Sequence, residues 1–183
     1  MLDIKKSISL DEFDSFVKKK TTKTWTDLHS ELKSKLNKHI LTSEQTINTI
    51  SYCAYCEKKI DNKKSHIEHI KPRDKFPADI FNYKNLIVSC MTKESCGIKK
   101  GNQYFDDFIS PVDNSPLEYF TYLENGEIYS NDENAMKTCH ILNLNSQKLK
   151  QARQIIILQL QKIESLDYYD DFPTLLKWIA ENR

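Results

Sequence analysis

Glycine, proline and long apolar runs are all scarce in this chain, and each scarcity removes a class of protein. Three Gly and five Pro in 183 residues exclude a collagen-like or linker-dominated chain. No apolar run approaches the roughly 20 residues of a membrane span. The longest, residues 155–160 (Ile-Ile-Ile-Leu-Gln-Leu), is broken by Gln159. The opening Met-Leu-Asp-Ile-Lys-Lys has no apolar stretch of the kind a secretion signal needs, so the expected compartment is the cytoplasm, with no membrane partner. Internal repeats and low-complexity linkers are also missing. What remains, with 39% hydrophobic and 29% charged residues, is a helix-rich globular chain of one-domain size.

The net charge of +1 hides an uneven distribution. Glu57 to Lys75 holds seven Lys or Arg against four Asp or Glu, whereas Gln103 to Met136 holds eight acidic residues and no Lys or Arg. A polyanion is attracted to the first stretch and repelled by the second.

Apolar spacing predicts helices through the first 50 residues: Phe13, Phe16 and Val17, then Trp25, Leu28, Leu32, Leu36 and Ile40, broken at Thr42-Ser43-Glu44. Segments 65–70 and 85–89 read as short strands, and a helix is expected over 96–108. Asn125-Gly126 between aromatic and β-branched runs predicts a hairpin. Ser146 is placed to cap a helix reaching about Leu166, with Leu149, Ala152, Ile156, Leu160 and Ile163 on one stripe. Pro173 suits the first turn of a last helix over 173–182. The division expected is a helical segment (1–50), a core (51–110), and a hairpin with C-terminal helices packed on that core (111–183), one compact domain in all. The outer segments read as scaffold.

The chemistry concentrates in the core. Cys53-Ala-Tyr-Cys56 is a C-x2-C knuckle, and Cys90 and Cys96 follow as a C-x5-C pair. In a reducing compartment such pairs point to metal rather than disulfides. Four thiolates in a tetrahedron satisfy a structural zinc ion and leave no position open for catalysis. Cys139 has no partner and reads as core. His29, His39 and His140 fit no pattern. Four cysteines alone also fit a zinc ribbon that merely holds a loop.

Between the pairs lie His66-Ile-Glu68-His69-Ile-Lys71-Pro-Arg73 and Asn82-Tyr-Lys-Asn85-Leu, and after Cys96 comes Gly97-Ile-Lys99-Lys100-Gly101-Asn102. Phosphodiester hydrolysis needs a base for water and a divalent cation for the charge on phosphate. A neutral histidine supplies the first near pH 7, and a carboxylate beside it holds magnesium or manganese. Lys99 and Lys100, at a helix start, together with Lys71 and Arg73, are the expected phosphate contacts.

The order Cys-x2-Cys, Glu-His-Ile-x-Pro, Asn-Leu-x-x-x-Cys, Cys-x-x-x-Lys-Gly resembles that of HNH endonucleases. Within them the chain looks most like the PtuB-type nucleases of Septu and retron anti-phage defence. His66-Ile-Glu-His69, Cys96-Gly97 with Lys100-Gly101, and Ile141-Leu-Asn-Leu-Asn145 with Leu149 and Arg153 carry the narrower likeness, over roughly residues 50–155. The resemblance implies an α+β fold: a zinc-braced ββα-metal (HNH) core, with N- and C-terminal helices and an added β-hairpin around it. It implies a metal-dependent endonuclease with His69 as general base, Glu68 as ligand to catalytic Mg2+ or Mn2+, and Asn85 fixing the loop or ring that presents His69. It further implies DNA as the nucleic-acid partner, a PtuA-type ABC ATPase that controls cutting and, in retron-linked versions, a reverse transcriptase with its RNA–DNA product. The acidic hairpin region and N-terminal helices are the surfaces expected to dock the ATPase. One position departs: Gly97 stands where many HNH enzymes carry a ligating His or Asn, leaving His66 or Asn102 as substitutes. A non-catalytic zinc-ribbon interaction or nucleic-acid-binding module, and a nuclease fold without activity, are the competing readings.

Overall fold

The computed structural model describes residues 1–19, 24–112, 115–160 and 169–182, and its architecture is α+β, with six helices and three two-stranded antiparallel sheets among those residues. Helix α1 (Asp11–Lys18) precedes a 3-10 turn at Trp25–Asp27 and helix α2 (Ser30–Glu44). The apolar series from Trp25 is therefore not one helix. His29 caps α2, its ring accepting from Leu32 N at 3.2 Å, and the helix stops at the expected Thr42-Ser43-Glu44 break. A small hairpin follows, β1 (Thr46–Ile47) and β2 (Ile50–Ser51), which no periodicity announced. Its turn residues Asn48 and Thr49 both have positive φ, the twist a two-residue hairpin loop needs.

The central hairpin pairs β3 (Ser65–His69) with β4 (Leu86–Cys90), in register from Ser65 opposite Cys90 to His69 opposite Leu86. All five residues of β4 are buried, because the strand is covered on both faces. Leu86 and Val88 pack with Phe13, Leu28, Leu32, Leu36 and Ile40 of the N-terminal helices. Ile87 joins the second core, which gathers the cysteines and the C-terminal elements. Gln45, at the end of α2, acts as an extra strand residue: its side chain donates to Val88 O and Tyr52 O and accepts from Val88 N, at 2.8–2.9 Å. Backbone groups along β4 that burial would otherwise strand are paired in this way.

Helix α3 (Cys96–Lys100) follows the hairpin after a five-residue bulge, Met91–Ser95, and is shorter than the 96–108 expected, since Gly101 at φ +51° turns the chain. The Asn125-Gly126 hairpin is present as β5 (Thr121–Tyr122) and β6 (Ile128–Tyr129). Gly126 adopts φ +79°, and a Cβ there would stand 2.2 Å from Lys150 O. Helix α4 (Glu133–Ile141), capped by Asp132, is an element that the apolar spacing does not predict. Helix α5 covers Gln147–Leu160, and its expected continuation to Leu166 with Ile163 lies outside the described residues. Helix α6 (Pro173–Glu181) has Pro173 in its first turn as expected. No helix among the described residues is long and apolar enough to cross a membrane.

The downstream residues Leu142 to Arg153 prove to be fastenings. Buried Arg153 donates to Gly126 O at 2.6 Å and Leu144 O at 2.9 Å, while Asn145 exchanges two 2.8 Å bonds with the Ile128 backbone. Leu142 O accepts from Cys96 N at 2.8 Å, and Asn143 donates to Glu94 O at 2.7 Å. The Met91–Ser95 bulge between the last two cysteines is thereby pinned to the end of α4. Glu57, just past the knuckle, binds the Met1 amine, Thr174 N and Thr174 Oγ1, drawing both ends of the chain to it. Cys139 is buried in the core, where burial pushes its thiol up to about 11.

Candidate metal centre and active site

The four cysteines read as a set do come together. The sulphurs of Cys53, Cys56, Cys90 and Cys96 lie within 4.8 Å of one another, all buried, with Cys56 and Cys90 at 3.9 Å. A tetrahedron of 2.3 Å zinc–sulphur bonds has edges of about 3.8 Å, so the cluster fits a metal such as zinc. The knuckle and the end of β4 supply three ligands. The fourth comes from the bulge, where Cys96 takes φ +61° to turn its sulphur inward. Hydrogen bonds from Cys53, Cys56 and Cys96 pull the Cys90 thiol far below its usual value, while hydrogen bonds with Cys53, Cys56 and Cys90, and burial, push Cys96 well up. Four thiolates so close require a cation to stabilise the other charges. Around them, Cys90 N donates to Cys53 Sγ at 3.4 Å, and Ser89 Oγ takes Gly97 N at 3.2 Å.

Strand β3 leaves this cluster and ends at the candidate catalytic residues. Side chains alternate across a strand, so His66 and Glu68 share one face. Their Nε2 and Oε2 atoms are 3.5 Å apart, and His66 Nδ1 is buried with no hydrogen-bond partner. Together they offer two of the ligands a divalent ion needs, with Nε2 the nitrogen that faces Glu68 and Nδ1 the unpartnered one. Glu68 is also tied to Lys100, whose Nζ lies 2.8 Å from Oε1, 2.9 Å from His69 O and 3.3 Å from Gly101 O. Burial works to raise the Glu68 pKa, but the hydrogen bond from His66 and the charge and bond of Lys100 prevail and hold it below the usual carboxylate value.

This placement differs from the phosphate-contacting role expected of Lys100. The side chain is 1% exposed, and each of its three donors already has an acceptor, since the short α3 turns its end back toward β3. Gly97 is explained by the same group: a Cβ there would sit 2.7 Å from Glu68 Oε2 and 2.8 Å from Cδ. A side chain at 97 and the present position of Glu68 exclude each other.

His69 closes β3 and faces the opposite side, edge-on to the Trp25 ring with centroids 4.5 Å apart. Its Nε2 lies 3.0 Å from Ile80 O. A carbonyl only accepts, so Nε2 carries the proton and Nδ1 keeps the lone pair. Burial pushes the ring pKa down to about 4; the Ile80 bond opposes this and the Arg73 charge adds to it, so the imidazole is neutral at pH 7. Asn85 is buried and holds the segment that supplies Ile80: Oδ1 accepts from Lys71 N at 2.7 Å, and Nδ2 donates to Lys71 O at 3.1 Å and Asp79 O at 3.0 Å.

Glu68 and His69 therefore do not touch. Lys100 joins them, bonding the carboxylate of one and the carbonyl of the other. Asn102 is not brought to Glu68; its amide donates to Asp74 at 2.6 Å. Arg73 and Lys99 are exposed, and Lys71 is half-buried with its Nζ 3.7 Å from Asp79. Trp25 is the site residue that sequence reasoning left in the scaffold; its helical spacing gave no sign that it would pack on His69.

Similarity to known proteins bears on the same segment. The chain is 30% identical over 100 residues to "Septu protein PtuB" of Bacillus thuringiensis, covering 51% of the chain and 36% of that protein. It is 36% identical over 83 residues to "Retron Vc95 putative HNH endonuclease" of Vibrio cholerae serotype O1 biovar El Tor, covering 42% of the chain and 40% of that protein. These likenesses support an HNH nuclease of the PtuB type. No protein-family profile matches the chain. The chain spans well under half the length of both curated relatives.

Proposed function

We propose that the protein is a metal-dependent HNH endonuclease with a ββα-metal core built from β3, β4 and α3, and that it serves as the nuclease effector of an anti-phage defence system. The observation that carries this reading is the end of β3. There a neutral imidazole, His69, is fixed through its protonated nitrogen on one face of the strand, while Glu68 and a second imidazole, His66, share the other face, the two sides being linked by Lys100. In the reaction His69 Nδ1 takes a proton from water, the hydroxide attacks phosphorus, and the bond from phosphorus to the leaving oxygen breaks. Glu68 and His66 would hold a Mg2+ or Mn2+ ion, which when bound neutralises charge on the phosphate and leaving oxygen. Asn85 keeps the Lys71–Asp79 segment, and with it the Ile80 carbonyl, in place against the ring. Arg73 and Lys99, both exposed, offer charge to the backbone of DNA. The four-cysteine zinc site braces the hairpin and takes no part in the chemistry.

The names of the relatives support a place in a defence system. The resemblance implies control by a PtuA-type ABC ATPase, joined in retron-linked systems by a reverse transcriptase and its RNA–DNA. The acidic hairpin region is the surface we assign to ATPase docking. The N-terminal helices are bound into the fold by Leu86 and Val88, so point changes on their exposed faces test docking better than truncation. Cleavage of DNA by the chain co-purified with its neighbouring gene products, with Mg2+ or Mn2+, tests the whole reading. His69→Ala should lower the rate about 10²–10⁴-fold with the zinc content unchanged. Equal rates in wild type and variant would leave a zinc-ribbon binding module as the better account.

A further inference from the structure

We infer that Lys100 is a resident counter-cation of Glu68 that makes loading of a divalent ion conditional on a bound phosphate. This rests on the nuclease reading above and adds a control to the same site. A lysine almost never lies fully buried unless paired, and this one is 1% exposed with Glu68 as its only anionic contact among the described residues. It is built in rather than draped over the surface: its remaining donors are taken by the carbonyls of His69 and Gly101, so it cannot swing out without leaving the buried His69 carbonyl unpaired. Glu68 is equally confined, with Gly97 against its Oε2 side and His66 at 3.5 Å.

The charges then dictate the order of events. With Lys100 in place, the pair Glu68–Lys100 is neutral, and His66 brings no negative charge. A dication meets a site without net attraction and with an ammonium next to one of its ligands. Magnesium sites of enzymes are commonly one or two carboxylates completed by substrate phosphate oxygens, and here the single carboxylate is already paired with Lys100. A phosphate arriving at the site supplies the missing anionic oxygens. It completes the ion's ligand set and compensates Lys100 together with the metal, so ion and phosphodiester bind together and neither binds well alone. Reciprocity requires the same factor in both directions: the ion must tighten nucleic acid as much as nucleic acid tightens the ion.

The experiment measures Mn2+ affinity by titration calorimetry on the zinc-loaded full chain, with and without a short oligodeoxynucleotide, in a His69→Ala background that prevents turnover. Wild-type Lys100 should bind Mn2+ at least about tenfold more tightly when the oligonucleotide is present. Lys100→Gln, which keeps donors for the two carbonyls but removes the charge, should tighten oligonucleotide-free Mn2+ binding at least about tenfold and shrink the dependence on oligonucleotide. Glu68→Gln should abolish Mn2+ binding in both. Should Lys100→Gln not fold, Lys100→Met, which also removes the charge, is titrated in its place and read in the same way. Mn2+ affinity that ignores the oligonucleotide, or is unchanged in a folded Lys100→Gln, overturns the counter-cation while leaving the metal site standing. Failure of Mn2+ to bind any form under any condition overturns it together with the catalytic metal.

Discussion

Asn85 offers the sharpest test of how this site is held, because its three side-chain bonds all go to one loop. Replacing it with Ala removes the acceptor of Lys71 N and the donors to Lys71 O and Asp79 O, at 2.7, 3.1 and 3.0 Å. A buried amide hydrogen bond contributes about 0.5–1.5 kcal/mol net, so the three together amount to about 3 kcal/mol. The residue is 5% exposed, so the groups left behind have little water to turn to. For a chain of this length each kcal/mol moves Tm by about 2–4 °C, which gives an expected fall of about 6–12 °C. Asn85→Asp is the informative companion: it keeps the acceptor for Lys71 N but points oxygen at two carbonyl oxygens, so it should be no more stable than the alanine variant. Differential scanning calorimetry measures both. Cleavage assayed well below the transition should also fall at least about tenfold, because the freed segment carries the carbonyl that orients His69. A Tm within 2 °C of wild type, or full activity in either variant, would refute the claim that Asn85 holds the loop.

Gly97→Ala places a Cβ 2.7 Å from Glu68 Oε2 and must displace that carboxylate; the cost should be about 1–3 kcal/mol in chemical denaturation, with metal-dependent cleavage reduced. His69 sits at about 4 in the fold against 6.5 when exposed, so the unfolded chain takes up the proton first as pH falls. Its contribution to stability is complete above pH 6.5 and is lost as pH falls towards 4, and melts of His69→Gln should show a shallower pH dependence in that window. Removing zinc with a strong chelator should lower Tm and release one ion per chain, read by metal analysis, while Cys139→Ala should leave that stoichiometry unchanged. Arg153→Met strands the carbonyls of Gly126 and Leu144, and should destabilise by about 2–4 kcal/mol without altering zinc content.

Local chemistry was legible in the sequence, and long-range assembly was not. Strands 65–69 and 86–90, the Asn125-Gly126 hairpin and the Pro173 helix start each depend on residues within a few positions, where β-branching, turn geometry and a fixed proline φ decide the outcome. The cysteine set was legible because two closely spaced cysteine pairs are a common pattern of metal ligands. Helix α4 escaped because its apolar positions are few and its stability comes from the contacts of Ala135, Thr138, Cys139 and Ile141. Helix α3 came out short because Gly101 takes a left-handed turn that spacing cannot reveal. Trp25 on His69 joins residues 44 positions apart. No periodicity encodes such a contact.

The pair of Lys100 and Gly97 shows most clearly where sequence reading stops. A lysine near the start of the expected helix, beside a cysteine of the metal-binding set, reads as a phosphate contact, because charge at a helix start is normally exposed. Whether it is exposed depends on α3 being only five residues long, on Gly101 ending it, and on Gly97 leaving the volume that Glu68 fills. Each of these looks neutral alone. Together they turn the lysine inward and set a full positive charge against the carboxylate a metal would need. A glycine at position 97 is then not simply a missing ligand: it is the space in which Glu68 lies, and Lys100 is the charge that answers it. It follows that restoring a ligating side chain by Gly97→His should fail to improve Mn2+ binding while Lys100 remains, since the imidazole and the Glu68 carboxylate compete for one volume. The Gly97→His, Lys100→Gln double variant should bind more tightly than Gly97→His alone, and equal affinities in the two would sever the link drawn here between the glycine and the lysine.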